Sequence, residues 1–187
     1  MDKLPPLTWE HIKGHFQTIT RHKLLVMHYC FRVGLYRQGL LHDLSKYTPQ
    51  EFLSGARFYQ GTRSPNAAER EAYGYSGAWL HHKGRNKHHF EYWIDFTKKP
   101  ECKLAGVKMP VNYVAEMLMD RIAASRVYKG DAYTDSSPLE YFNREKEMIV
   151  IHPETRDLLK KLLVMLSRYG EEKTFAYVRR LLKHGSY

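Results

Sequence analysis

A histidine and an aspartate stand next to each other inside an apolar run of this chain, at positions 42 and 43 of the segment GLLHDLSK, residues 39–46. A fold that buries these leucines also brings a carboxylate into the interior, which is costly unless that carboxylate is paired or binds a metal. An imidazole beside a carboxylate supplies one nitrogen and one oxygen ligand, which suits zinc, manganese or iron. A helix-end aspartate beside an unrelated histidine would give the same dipeptide, so the rest of the chain must decide.

Histidines are concentrated in the first half of the chain. Nine of the eleven lie between His11 and His89, and four of these fall in the segment from His81 to His89. Histidine is the commonest metal ligand, so this distribution favours a metal site, with Glu91 placed to orient one of the rings. The same segment carries Arg85, Lys87 and aromatic residues, and a nucleic-acid-binding patch is the alternative interpretation.

The composition is that of an ordinary globular domain. At 187 residues with 43% hydrophobic content, the chain is expected to form one domain over residues 1–187. It contains no apolar run of membrane-spanning length and no signal-peptide pattern, and Cys30 and Cys102 make no disulfide framework. We therefore expect a cytoplasmic protein with free thiols and no membrane partner. The net charge of +10 would attract phosphate-bearing ligands or nucleic acid, although a solvated basic surface explains it at least as well as nucleic-acid binding, and a homo-oligomer stays open.

Apolar residues recur at helical spacing through most of the chain, and no sustained alternation indicates strands. A first helix is predicted to end at Gly34, a second to cover residues 37–45 and carry the His-Asp pair, and the leucine-rich C-terminal helix to end at Gly170. The fold class is therefore predicted to be all-α. The other helix-start signals are Thr8, Thr48, Pro110, Ser137 and Pro153.

Three further polar residues need an explanation. His22 has apolar neighbours one turn away on either side, although His28 competes with it as the first histidine ligand. Asp120 shares a predicted apolar face with Met117 and therefore requires a cation, either a metal or a neighbouring arginine. Glu51 completes a Thr-Pro-Gln-Glu capping box, so we predict that it bonds back to the helix cap rather than serving a site.

Taken in chain order, His22, the His42–Asp43 pair, the histidines of residues 81–89 and Asp120 resemble the HD-domain superfamily of metal-dependent phosphohydrolases. That superfamily has an early helical histidine, an adjacent His-Asp pair, optional further histidines and a late aspartate. The resemblance covers residues 15–130 and implies an HD-domain-like helical bundle, with residues 137–187 as a C-terminal helical extension packed on it. Residues 42–46 and 82–91 also resemble a narrower family of uncharacterised bacterial and phage proteins.

This resemblance implies a ligand set. One divalent transition metal ion, such as Mn, Fe, Zn, Co or Ni, would be held by His22, His42, Asp43 and Asp120. A second ion would be held by His82 and by His88 or His89, with Asp43 bridging the two.

The resemblance also implies a reaction. Two such ions activate a water for attack on a phosphate ester, with Asp43 and Lys46 as catalytic residues. Lys46, Arg85 and Lys87 would contact a nucleotide or another small phosphorylated substrate. The alternatives are a non-catalytic nucleic-acid-binding protein and a di-iron oxygenase on an HD-type fold.

Overall fold

The computed structural model describes residues 4–98, 103–145 and 150–187, so Cys102 lies outside the described residues. Within these ranges the chain forms eight α-helices and one two-stranded antiparallel hairpin, which confirms the predicted all-α class. The helices are α1 (Trp9–Arg32), α2 (Tyr36–Leu41), α3 (Pro49–Arg57), α4 (Pro65–Tyr73), α5 (Gly77–Lys83), α6 (Val111–Lys129), α7 (Ser137–Glu145) and α8 (Pro153–His184). The hairpin, which the sequence did not predict, pairs β1 (Ile94–Phe96) with β2 (Leu104–Gly106). No helix in the described part of the chain is long and apolar enough to cross a bilayer.

One hydrophobic core joins α1, α6, α7 and α8. The predicted leucine face of α8 is fully buried in it, and Val114, Leu118 and Ile122 of α6 lie in the same core. The helical backbone of α8 is interrupted at Gly170, which has φ +74°, so the predicted break is confirmed as a kink between two helical segments. The buried leucines of α8 are Leu158, Leu159, Leu162, Leu163 and Leu166.

The helix α1 begins and ends where the sequence predicts. The Thr8 hydroxyl accepts a hydrogen bond from the His11 backbone N–H, and Gly34 follows the last turn with φ +88°. The buried face of α1 includes His22, whereas His28 is exposed to solvent. This long helix contacts α2, α3 and α6, and it therefore forms one wall of the interior that those helices share.

The predicted helix over residues 37–45 is wrong, because α2 ends at Leu41. The ammonium of Lys23 on α1 binds the carbonyl oxygens of Leu40 and His42 at 2.7 and 3.2 Å, which satisfies carbonyls at the end of α2. Asp43 then adopts the left-handed conformation (φ +54°), and a short 3-10 helix follows over Leu44–Tyr47. Left-handed backbone costs a non-glycine residue about 1 kcal/mol, so this turn is maintained by its surroundings.

Candidate metal centre

The predicted metal ligands converge between α1, the α2–α3 junction, α5 and α6. A first group contains one residue from α1, two from the junction and one from α6. One ligand atom of each lies within 4.8 Å of all the others. His22 Nε2 is 2.9 Å from Asp120 Oδ1, and His42 Nε2 is 3.3 Å from Asp43 Oδ2. The members are His22, His42, Asp43 and Asp120, which is the predicted first set.

A second group shares Asp43 with the first and adds His82, His88 and His89. Asp43 Oδ1 is 3.2 Å from His82 Nε2 and 3.4 Å from His88 Nε2. The Nε2 atoms of His82 and His89 are 2.9 Å apart, even though α5 ends at Lys83. The two oxygens of Asp43 therefore face different groups: Oδ2 faces His42, and Oδ1 faces His82 and His88.

The structure decides between the histidines that the sequence left open. His22 is buried beside Asp120, while the exposed His28 packs against Tyr29 and is not in either group. Both His88 and His89 reach the second group, so neither is an alternative to the other.

Several ligand atoms at the centre of this cluster lack hydrogen-bond partners among the described residues. They are His22 Nε2, His42 Nε2, His88 Nε2 and both carboxylate oxygens of Asp43. Lys46 Nζ lies 2.6 Å from Asp43 Oδ2, but this contact lacks hydrogen-bond geometry. Buried polar atoms are normally satisfied, and an unsatisfied one costs about 1–3 kcal/mol. A convergent set of nitrogen and carboxylate donors therefore fits a bound cation.

The carboxylate of Glu116 orients two of these histidines. Its Oε1 accepts from Nδ1–H of His42 at 2.9 Å and lies 3.2 Å from His88 Nδ1, and Gln38 donates to its Oε2 at 2.7 Å. Because the Nδ1 side of each ring faces Glu116, the Nε2 atom of each ring points into the cluster. A carboxylate behind a histidine is the usual support of a metal ligand.

Glu51 performs the same task for the other side, and its predicted capping role is wrong. Its Oε2 lies 2.8 Å from His82 Nδ1 and its Oε1 lies 2.5 Å from His81 Nδ1. Thr48 does not cap α3 with its side chain, because its hydroxyl donates to the Ser45 carbonyl at 2.6 Å. Glu51 is therefore free of the helix end and is buried against the histidines.

Sequence reasoning missed Glu116, although a signal for it exists. Glu116 lies one turn before Asp120 on α6, whose surrounding residues are apolar and buried. The argument that a carboxylate on a buried stripe needs a cation applies to both residues. His15 was also missed: it is buried, its Nδ1 has no partner among the described residues, and it lies on the cavity wall beside the cluster.

The positive charges around the cluster keep the shared Asp43 ionised. Burial alone would raise the pKa of Asp43, but the charges of His42 and Lys46 outweigh it and hold the pKa well below its usual range. Burial likewise opposes ionisation of Glu116, yet its histidine hydrogen bonds lower the pKa to about 2. Burial, together with the neighbouring His88, lowers the pKa of His89 and keeps that ring neutral, as a metal ligand must be.

A cavity of about 610 Å³ opens onto the cluster, and its size suits a small-molecule ligand. His22, Lys46 and Asp120 are among the residues that line it. Arg85 and Lys87, predicted to contact phosphate, do not line it. Arg85 is exposed and donates to the His81 carbonyl, and Lys87 lies over the ring of Tyr92.

The fold and the site define an all-α protein with a buried histidine–aspartate cluster beneath a cavity. Residues 11–165 match the model of a family of unknown function (DUF5662), and the chain belongs to that family. No curated protein and no solved structure matches the chain.

Proposed function

We propose that this protein is a metal-dependent phosphohydrolase that acts on a small phosphorylated molecule, with one or two divalent ions in the cluster. The observation that carries the proposal is Asp43, whose two oxygens face two different histidine groups. A carboxylate in this position would be able to serve an ion in each group, as in two-metal hydrolytic sites. The resemblance to the HD-domain superfamily supports the same assignment, and a cytoplasmic location is part of the proposal.

The ligand atoms restrict the kind of metal. The two groups contain five histidines and two aspartates. Cys30, the described cysteine, lies apart from them in the hydrophobic core. Imidazole and carboxylate donors suit Mn, Fe, Zn, Co or Ni rather than a thiolate-preferring ion. Such ions, when bound, supply an activated water and a Lewis acid for phosphate ester hydrolysis.

The remaining steps rely on the chain's own groups. Glu116 and Glu51 each hold the Nδ1 side of a histidine ring, which leaves the Nε2 atom of that ring to donate its electron pair to a metal ion. The ammonium of Lys46, which lines the cavity beside Asp43, neutralises charge on a phosphate bound there.

Metal analysis combined with an activity assay tests the proposal. Protein purified without chelator should contain one or two equivalents of divalent metal and release phosphate from p-nitrophenyl phosphate or nucleoside monophosphates. Chelation should stop the release, and added Mn²⁺ should restore it. Absence of stoichiometric metal, together with an unchanged His42→Ala variant, would overturn the proposal.

Two other results would replace the proposed reaction with another function. Substrate-dependent oxygen uptake with Fe(II), without phosphate release, would indicate a di-iron oxygenase. Salt-dependent DNA or RNA binding that ignores chelators would indicate a nucleic-acid-binding protein.

A further inference from the structure

Beyond the metal ligands, the wall of the cavity is rich in basic side chains. It carries three carboxylates, Glu51, Glu91 and Asp120, and two of these serve the metal centre. Metal ions in the cluster would add further positive charge. With divalent ions bound, the site would have more positive charge than one phosphate group requires. The basic residues of the wall are Lys46, Arg63, Arg70, Arg121, Lys129 and Arg144.

Three of these basic residues are already paired with carboxylates. Lys46 contacts Asp43 at 2.6 Å, Arg63 contacts Glu71 at 2.6 Å, and Lys129 contacts Glu140 at 3.0 Å. Glu71 and Glu140 neutralise the charges of Arg63 and Lys129, and Lys46 already serves the first phosphate in the proposed function, so a second anionic group needs other residues.

Arg70 of α4 and Arg144 of α7 are exposed side chains whose guanidinium groups lie over aromatic rings. The guanidinium carbon of Arg70 lies 5.6 Å from the centre of the Trp79 ring, and that of Arg144 lies 5.6 Å from the centre of the Tyr141 ring. Neither arginine forms an ion pair with a described carboxylate. A ring contact restrains a guanidinium but leaves its charge and its N–H donors available for an anion.

The same rings connect these arginines to the metal centre. Trp79 packs edge-on against His89, with ring centres 4.7 Å apart, so one indole separates Arg70 from a candidate ligand. Tyr141 also lies 5.9 Å from the guanidinium of Arg121, the residue that follows Asp120 on α6. Arg70 and Arg144 both line the cavity that reaches the cluster, and neither belongs to the cluster.

We propose that the substrate carries a second anionic group, a phosphate or a carboxylate, and that Arg70 and Arg144 bind it while the first phosphate lies at the metal centre. This inference rests on the proposed function for the first group only. Arginine donates paired hydrogen bonds to the oxygens of either anion, which suits a group held by its shape as well as its charge. The ligand class is a small molecule with two separate anionic groups.

Binding of alkane diphosphonates tests the inference, because the carbon–phosphorus bond resists phosphoesterases and the result does not depend on hydrolysis. Calorimetric titration of the Mn²⁺-loaded protein would compare diphosphonates of three to six carbons with the matching monophosphonates. We expect at least one diphosphonate to bind about tenfold more tightly than its monophosphonate. Arg70→Gln and Arg144→Gln should each remove most of that gain and change monophosphonate affinity less than twofold.

Arg180 provides a matched control. It is an exposed arginine on α8 whose guanidinium lies 5.9 Å from the Tyr177 ring, and it does not line the cavity. Arg180→Gln should leave both affinities unchanged, and Arg70→Lys, which keeps the charge, should retain part of the gain. The inference is overturned if no diphosphonate is preferred, or if the Arg70 and Arg144 variants behave like Arg180→Gln. A diphosphonate preference without any phosphatase activity would support the anion site and count against the proposed reaction.

Discussion

The two faces of α6 are both buried, but different interactions stabilise them. Val114, Leu118 and Ile122 lie in the apolar core shared with α8, whereas Glu116 and Asp120 lie in the histidine cluster. Two positions along a helix correspond to a rotation of about 200°, so the two sets point in nearly opposite directions. The core face is satisfied by packing alone, while the cluster face leaves several polar atoms without hydrogen bonds among the described residues.

This comparison separates stability from function within one helix. Close packing at the core gains free energy from every buried methylene group. The cluster instead keeps charged groups buried and a left-handed aspartate in place, which costs free energy unless a cation binds. Changes on the core face should therefore alter the unfolding free energy, and changes on the cluster face should alter metal content.

The largest expected effect comes from Asp43→Asn. Asparagine tolerates the left-handed backbone and has a similar volume, but an uncharged amide is a poor bridging ligand. We expect the variant to lose its bound metal and its metal-dependent phosphate release to fall to background. Elemental analysis of the purified protein measures this, and retention of wild-type metal content would refute the role of Asp43.

On the core face, Leu118→Ala should lower the unfolding free energy by about 2–5 kcal/mol, because Leu118 is fully buried and the substitution leaves a cavity. Metal content per folded molecule should stay unchanged. Urea denaturation with and without chelator measures the first quantity and elemental analysis the second. A loss of metal in the folded variant would mean that the two faces of α6 are not independent.

Glu116→Gln should weaken metal binding by about 10–100-fold, because a glutamine is a weaker partner for the histidine N–H groups. Glu116 supports His42 of one group and His88 of the other, so both sites should weaken. Glu51→Gln should affect mainly the group that contains His82. Titration against a competing chelator distinguishes these outcomes, and equal behaviour of the two variants would contradict the assignment of separate groups.

The smallest effect concerns His15, which lies on the cavity wall. Burial and the charge of Lys46 lower its pKa from 6.5 to about 4, so the unfolded chain takes up a proton before the native protein does. The contribution of neutral His15 to the unfolding free energy is therefore complete above pH 6.5, and it is lost as the pH falls toward 4. Between pH 6 and 5, the metal-free wild type should lose about 1 kcal/mol more unfolding free energy than His15→Gln. Urea denaturation at the two pH values measures this, and parallel losses would show that His15 does not titrate in this way.

Local signals predicted much of the fold and part of the site. The start of α6 follows from Pro110, and Asp120 was found because its neighbours along the helix are apolar. The cap at Thr8 and the break at Gly170 are likewise determined by nearby residues. Such features depend on a few consecutive positions, and these can be read directly from a sequence.

Two of the errors share one physical cause, which is a partner distant in sequence. Glu51 was assigned to a helix cap because its true partners, His81 and His82, lie thirty residues later. The helix through Asp43 was predicted from local spacing, although Lys23 of α1 binds the carbonyls at the end of α2. The hairpin was missed for another reason, because each of its strands is only three residues long and too short to show alternation.

The distance along the chain between His42 and Glu116 has a consequence for how the protein folds. These hydrogen-bonded residues are 74 positions apart, so the cluster is incomplete until α6 has docked against α1 and α2. Closing so long a loop is slow compared with forming the helices themselves. We therefore expect added metal to slow unfolding while leaving the refolding rate nearly unchanged, which stopped-flow measurements with and without Mn²⁺ would reveal. In that case the ion stabilises the native state after it has formed and takes no part in the rate-limiting step of folding.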